Sequence, residues 1–269
     1  MKKVGIMGGT FDPIHLGHLV IANEALNIYK LDEIIFVPTG NPPHKDGVSA
    51  SPWDRYLMTA LAVVSNDRFI VSDVEVNKED KSYSLETLKQ FHRMYPGTEF
   101  YFITGTDEVI NLPDWYKPEE ILKLCKFIAV SRPGMDEKKV RAKIEEIRRD
   151  LNGQIELLQV PMLQISSTEI RERFKNGISA KYLIPETVEQ YIIKNKLYRR
   201  KMNIDELKKK LDSYNPKVYS HCVRTMEESV ILAINYGVDI EKAKIAGLLH
   251  DCGKKLRAQD NLTHSKTGA

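Results

Sequence analysis

The chain has 269 residues, room for two domains, and a net charge of +3 from 40 basic and 37 acidic residues, so no field for capturing nucleic acid or a membrane surface is expected. Cys125, Cys222 and Cys252 are odd in number and lack Cys-x-x-Cys spacing, which argues against a disulfide framework and a zinc ribbon. Lys2-Lys3 runs into Val4 with no apolar leader, and no segment is long enough to span a bilayer, so the sequence reads as soluble and cytoplasmic, with no membrane or nucleic-acid partner.

Apolar, β-branched runs recur at Val4–Met7, Glu33–Pro38, Phe69–Val76, Glu99–Thr104, Lys126–Ser131 and Ile155–Val160. Helical patterns separate them, at Leu19–Tyr29, Trp53–Ser65, Leu85–Tyr95, Pro118–Leu124 and Glu137–Leu151. The alternation predicts an α/β fold, a doubly wound parallel sheet whose ligands bind beyond the carboxyl ends of the strands. A further helix over Pro185–Ile193 ends at the basic run Lys196–Met202, which suits a helix C-terminus and reads as a domain end. The domains are therefore placed at 1–200 and 201–269, the second opening with a helix over Asp205–Tyr214.

The densest feature is Gly8-Gly9-Thr10-Phe11-Asp12-Pro13-Ile14-His15-Leu16-Gly17-His18. A strand, a glycine turn and a helix start bring backbone N–H groups and a positive dipole end to one place, which suits an anion. His15 and His18, three apart, fall on one face of the first turn and can both meet it. No Gly-Lys-Ser/Thr follows, so this is not a Walker loop. A second such place is Ile165-Ser166-Ser167-Thr168-Glu169-Ile170-Arg171, where Ser-x-x-Glu is also a helix capping box.

These two segments resemble the signatures of the nucleotidyltransferase superfamily with a His-x-Gly-His motif, and within it those of the nicotinate mononucleotide adenylyltransferases, over about residues 1–200. The resemblance implies transfer of the adenylyl group of ATP to nicotinate mononucleotide, giving deamido-NAD and pyrophosphate. It gives His15, His18 and Arg171 catalytic contacts to the ATP phosphates, and Gly8, Gly9, Thr10, Phe11, Ile165, Ser166, Ser167 and Thr168 the cradle around them. Gly105 and Asp107 would lie on the adenosine side. Asn41, Lys45 and Arg132 would serve the substrate phosphates. Trp115 would stack on the pyridine ring, with Tyr116 and Ser84 taking its carboxylate; the family more usually has threonine where this chain has Ser84, and Trp115 also reads as a core aromatic. Magnesium is expected to arrive with ATP, because the sequence offers no dense carboxylate cage. A pantetheine-phosphate or cytidylyl transferase, and a nucleotide sensor without turnover, are the rival readings.

The tail carries His221 and, at the end of an apolar helix, His250-Asp251. Nitrogen and oxygen ligands of this kind suit iron, manganese or a similar metal. The segment resembles the HD-domain phosphohydrolases, particularly those that cleave dinucleoside tetraphosphates, but lacks their further downstream aspartate. Loosely packed helices with at best an open metal site, and no such hydrolysis, are expected. A homo-oligomer is possible on this sequence, which specifies none.

Overall fold

The computed structural model of the chain describes residues 1–41, 49–78, 83–131, 137–161, 163–199 and 204–253. It divides into two compact units, Met1–Arg199 and Arg200–Ala269. In the first, the order is β1 (Lys3–Gly9), α1 (Leu16–Ile28), β2 (Glu33–Pro38), α2 (Pro52–Val63), β3 (Phe69–Val71), α3 (Ser84–Met94), β4 (Glu99–Gly105), α4 (Thr106–Ile110), α5 (Pro118–Leu124), β5 (Lys126–Val130), α6 (Glu137–Leu151), β6 (Ile155–Leu158), α7 (Ser167–Lys175) and α8 (Glu186–Lys194). The strands form one parallel sheet in the order β3-β2-β1-β4-β5-β6.

Period-two alternation divides each central strand between two cores. Ile34 and Phe36 of β2 face a cluster with Ala22, Met58, Val188 and Ile192, while Ile35 and Val37 face one with Leu88, Phe91, Phe100 and Ile144. Burial on both faces explains why these strands read as continuous apolar runs. The direction of winding reverses between β1 and β4, which opens a crevice beyond their carboxyl ends.

Two boundaries differ from the sequence reading by three residues or more. Helix α1 starts at Leu16, three residues early, because His15 sits extended at its N-cap and donates its backbone N–H to His18 Nδ1 at 3.2 Å. Gly17 lies in the first turn of this helix. A Cβ there would stand 3.0 Å from His15 Nδ1, so the glycine is what admits the histidine. Strand β3 ends at Val71 instead of continuing to Val76. Ser72 accepts the Val74 N–H at 3.3 Å and Asp73 the Val76 N–H at 2.9 Å, so turn chemistry outcompetes the apolar alternation of Val74 and Val76.

The second unit consists, among its described residues, of α9 (Ile204–Tyr214), α10 (Pro216–Tyr236) and α11 (Ile240–Leu249) around Leu207, Leu211, Cys222, Met226 and Leu248. A Cβ on Gly247 would lie 2.7 Å from Met226 Cα, so this glycine lets α11 press against α10. Ile231, Leu232, Ile234 and Tyr236 remain more than half exposed. No helix among the described residues is long and apolar enough to cross a membrane.

Candidate active site

A cleft of about 1360 Å³ lies in the first unit at the ends of β1 and β4. Its floor is the turn from Gly8 to His15. Phe11, at φ 48° in the left-handed region, swings its ring under the turn, edge-on to His18 at 5.1 Å. A Cβ on Gly9 would be 2.9 Å from that ring, so only glycine allows it. The His15 and His18 rings stack at 3.7 Å. Because His18 Nδ1 accepts the His15 backbone N–H, a neutral His18 carries its proton on Nε2 and is a donor there.

The turn is held from behind by a buried polar frame. Arg55, 1% exposed, donates to Thr10 O at 2.7 Å and Gly40 O at 3.0 Å, tying the turn to the end of β2. Burial draws its pKa down while Asp12, Tyr198 and Glu75 oppose the shift, and an arginine stays charged in such a frame. Asp12, 4% exposed, accepts the backbone N–H of Ser49 at 2.8 Å and of Ala50 at 3.2 Å, and the Tyr198 hydroxyl at 2.7 Å.

Helix α7 brings its N-terminus to the same end of the cleft. Ser166 caps it by accepting the Glu169 N–H at 3.1 Å, while Glu169 turns away to Arg173 at 2.9 Å, so half of the capping box is used. Ser167 donates to Pro13 O at 2.9 Å, and Arg171 to Asp12 O at 2.8 Å and Thr168 Oγ1 at 3.2 Å. Two histidines, one guanidinium and one helix N-terminus thus share a wall, an arrangement suited to polyphosphate.

Farther along, the cleft becomes aromatic. Trp115, partly buried, packs edge-on against Phe102 at 5.9 Å and Phe127 at 6.2 Å. Tyr116, half exposed, lies 5.2 Å from the Tyr83 ring. Ser84 opens α3 here, and one turn on Thr87 donates to buried Glu75 at 2.6 Å.

In the second unit His221 Nε2 and His250 Nε2 are 3.0 Å apart, and Asp251 Oδ2 is 3.4 Å from the first and 3.6 Å from the second. His250 Nδ1 lies 2.8 Å from Gly247 O, which fixes its proton there and turns the Nε2 lone pair toward His221. One ligand atom from each of the three residues lies within 4.8 Å of the others.

Residues 6–173 match the Cytidylyltransferase-like family, and residues 218–269 the HD domain family. A nicotinate-nucleotide adenylyltransferase of Thermoanaerobacter sp. is 46% identical over 202 residues, 74% of this chain and 95% of that one. Those of Desulfitobacterium hafniense and Tropheryma whipplei are 48% and 45% identical, covering 96% and 98% of those relatives. The chain belongs to the nicotinate-nucleotide adenylyltransferase family. The solved Plasmodium falciparum nicotinic acid mononucleotide adenylyltransferase complexed with NaAD shares its fold at a TM-score of 0.60 and 23% identity, over 74% of this chain and 98% of that chain.

Within this family member, the sequence-selected residues His15, His18, Arg171, Gly8, Gly9, Thr10, Phe11, Gly105, Ile165–Thr168, Ser84, Trp115 and Tyr116 all line the cleft. Asp107 and Asn41 do not; beyond Gly105 the wall is made by Glu108. Lys45 and Arg132 lie outside the described residues. Sequence reasoning passed over Asp12, Arg55, Glu75 and Thr87. Thr87 had a signal, since it stands one helical turn from Ser84 on the same face. Buried Arg55, in an amphipathic helix, had none.

Proposed function

We propose that the first unit transfers the adenylyl group of ATP to the phosphate of nicotinate mononucleotide, releasing pyrophosphate and forming deamido-NAD. The observation that carries this reading is a single cleft with a polyphosphate wall at one end and a tryptophan, tyrosine and serine pocket at the other. The nucleophile is already an anion on the second substrate, so the protein needs no covalent intermediate. It must hold two anions in line and neutralise the charge that builds on the leaving pyrophosphate.

In this reading His18 Nε2–H and His15 donate to the ATP phosphates, Arg171 and the α7 N-terminus take the leaving end, and Gly105 faces the adenosine. Trp115 stacks on the pyridine ring while Tyr116 and Ser84 hold its carboxylate; Asn41, Lys45, Asp107 and Arg132 keep the supporting roles that the resemblance gives them. Asp12 is already engaged by Ser49, Ala50 and Tyr198, and Glu75 by Thr87, which supports magnesium arriving with ATP. When bound it neutralises phosphate charge. In the second unit His221, His250 and Asp251 would hold iron or manganese, the donor set and the aligned Nε2 atoms being suited to either. We place the protein in the cytoplasm, with ATP and nicotinate mononucleotide as its partners.

The test is product identification. The chain incubated with ATP, magnesium and nicotinate mononucleotide is expected to yield deamido-NAD, identified by mass, in step with pyrophosphate. ATP binding without product would make the chain a nucleotide sensor, and product only with phosphopantetheine or CTP would assign it to a sister activity.

A further inference from the structure

Asp12 joins segments that are far apart in the chain. Its carboxylate accepts from Ser49 N–H, Ala50 N–H and the Tyr198 hydroxyl, and its carbonyl oxygen accepts from Arg171, whose guanidinium also comes within 4.0 Å of the carboxylate. Tyr198 stands at φ 59°, in the left-handed region, with its ring 6.3 Å from Phe174 of α7. A non-glycine residue in this region is strained, so its surroundings must hold it there. Burial, with Asp12 alongside, pushes the Tyr198 phenol up, which keeps it a hydrogen-bond donor.

We propose that Asp12 and Tyr198 are positioning residues for adenylyl transfer: the Tyr198–Asp12 bond fixes the turn whose carbonyl aims the Arg171 guanidinium along the cleft. Neither residue is assigned a contact with substrate. Asp12 orients a cation that does the work, and Tyr198, four residues past the end of α8, makes the end of the first unit part of the catalytic support. The proposal rests on the reading of Arg171 as a phosphate ligand.

Simple electrostatics and positioning predict opposite effects. Removing a negative charge beside Arg171 and Arg55 would, by Coulomb's law alone, tighten ATP binding and help the reaction. If Asp12 positions, Asp12→Asn instead lowers kcat per folded molecule, because the two backbone N–H groups bond to different carboxylate oxygens and the amide turns its NH2 donor toward one of them.

The experiment is a double-mutant cycle on the full chain, reading kcat and both KM values below the melting midpoint of each variant. Tyr198→Phe keeps the ring and removes one hydroxyl. It is expected to lower kcat by about tenfold, the worth of one charge-assisted hydrogen bond, while KM for nicotinate mononucleotide stays unchanged. In an Arg171→Ala background the same change is expected to cost less than about twofold, because the group it aims is gone. Full turnover in Tyr198→Phe, or equal losses in both backgrounds, would overturn the proposal, as would loss of the melting transition in both Tyr198→Phe and Asp12→Asn. Arg171→Ala alone separates the two claims, since unchanged turnover there removes the role of Arg171 itself.

Discussion

Replacing Arg55 by methionine keeps most of the side-chain volume and removes the charge and both forked hydrogen bonds. In the folded protein Thr10 O and Gly40 O would lose donors at 2.7 and 3.0 Å inside a site that is 1% exposed. Two bonds from a charged donor are worth roughly 1.5–3 kcal/mol each, and breaking a buried charge arrangement by removing one partner costs about 3–5 kcal/mol, so the expected loss is about 3–5 kcal/mol. For a unit of this size that lowers Tm by roughly 6–20 °C. Both tryptophans, Trp53 and Trp115, lie in the first unit, so their fluorescence follows its melting without interference from the helical unit. Arg55→Lys should recover little, because an ammonium is a point charge and cannot span two carbonyls. A methionine variant within about 2 °C of the parent would refute the argument that Arg55 ties β1 to β2.

His15→Ala and His18→Ala should each lower kcat by about 10²–10³ with the fold intact, checked by pyrophosphate release and circular dichroism; near-parental turnover in either would remove that histidine from catalysis. Trp115→Ala should raise KM for nicotinate mononucleotide and leave KM for ATP unchanged, although its contacts with Phe102 and Phe127 mean that some stability is lost as well. In Gly40→Ala a Cβ would sit 2.0 Å from the Glu75 carbonyl oxygen, so little folded protein should be recovered, whereas soluble protein of parental Tm would contradict the close approach. Manganese titrated into the chain and followed by magnetic resonance should bind at the second unit, with affinity lowered by at least about tenfold in His221→Ala or His250→Ala; equal binding in both variants would place the ion elsewhere.

The parallel sheet was legible because its central strands are buried on both faces and therefore continuous in apolar character, and because glycine and histidine gather at one strand end. The histidines that line the cleft from this turn were legible for the same reason. What escaped was tertiary. The start of α1 depends on His15 and His18 bonding each other across Gly17, and propensity alone assigns that glycine to a break. The end of β3 depends on Ser72 and Asp73 winning the backbone of residues that alternate like a strand. Asp12 stands inside the glycine and histidine motif, yet its partners are 37, 38 and 186 positions away, which no local pattern encodes. In the tail His221 and the His250-Asp251 pair were both visible as candidate ligands, whereas the close approach of α10 and α11 at Gly247 that brings them together is not marked by any ligand pattern.

The most direct test of the account is pyrophosphate release measured side by side with nicotinate mononucleotide and nicotinamide mononucleotide at equal ATP. The pocket of Trp115, Tyr116 and Ser84 is read as a site for the pyridine carboxylate, so kcat/KM should favour the nicotinate substrate by at least about tenfold, the equivalent of one charge-assisted hydrogen bond. Equal rates with both, or turnover of neither, would contradict it.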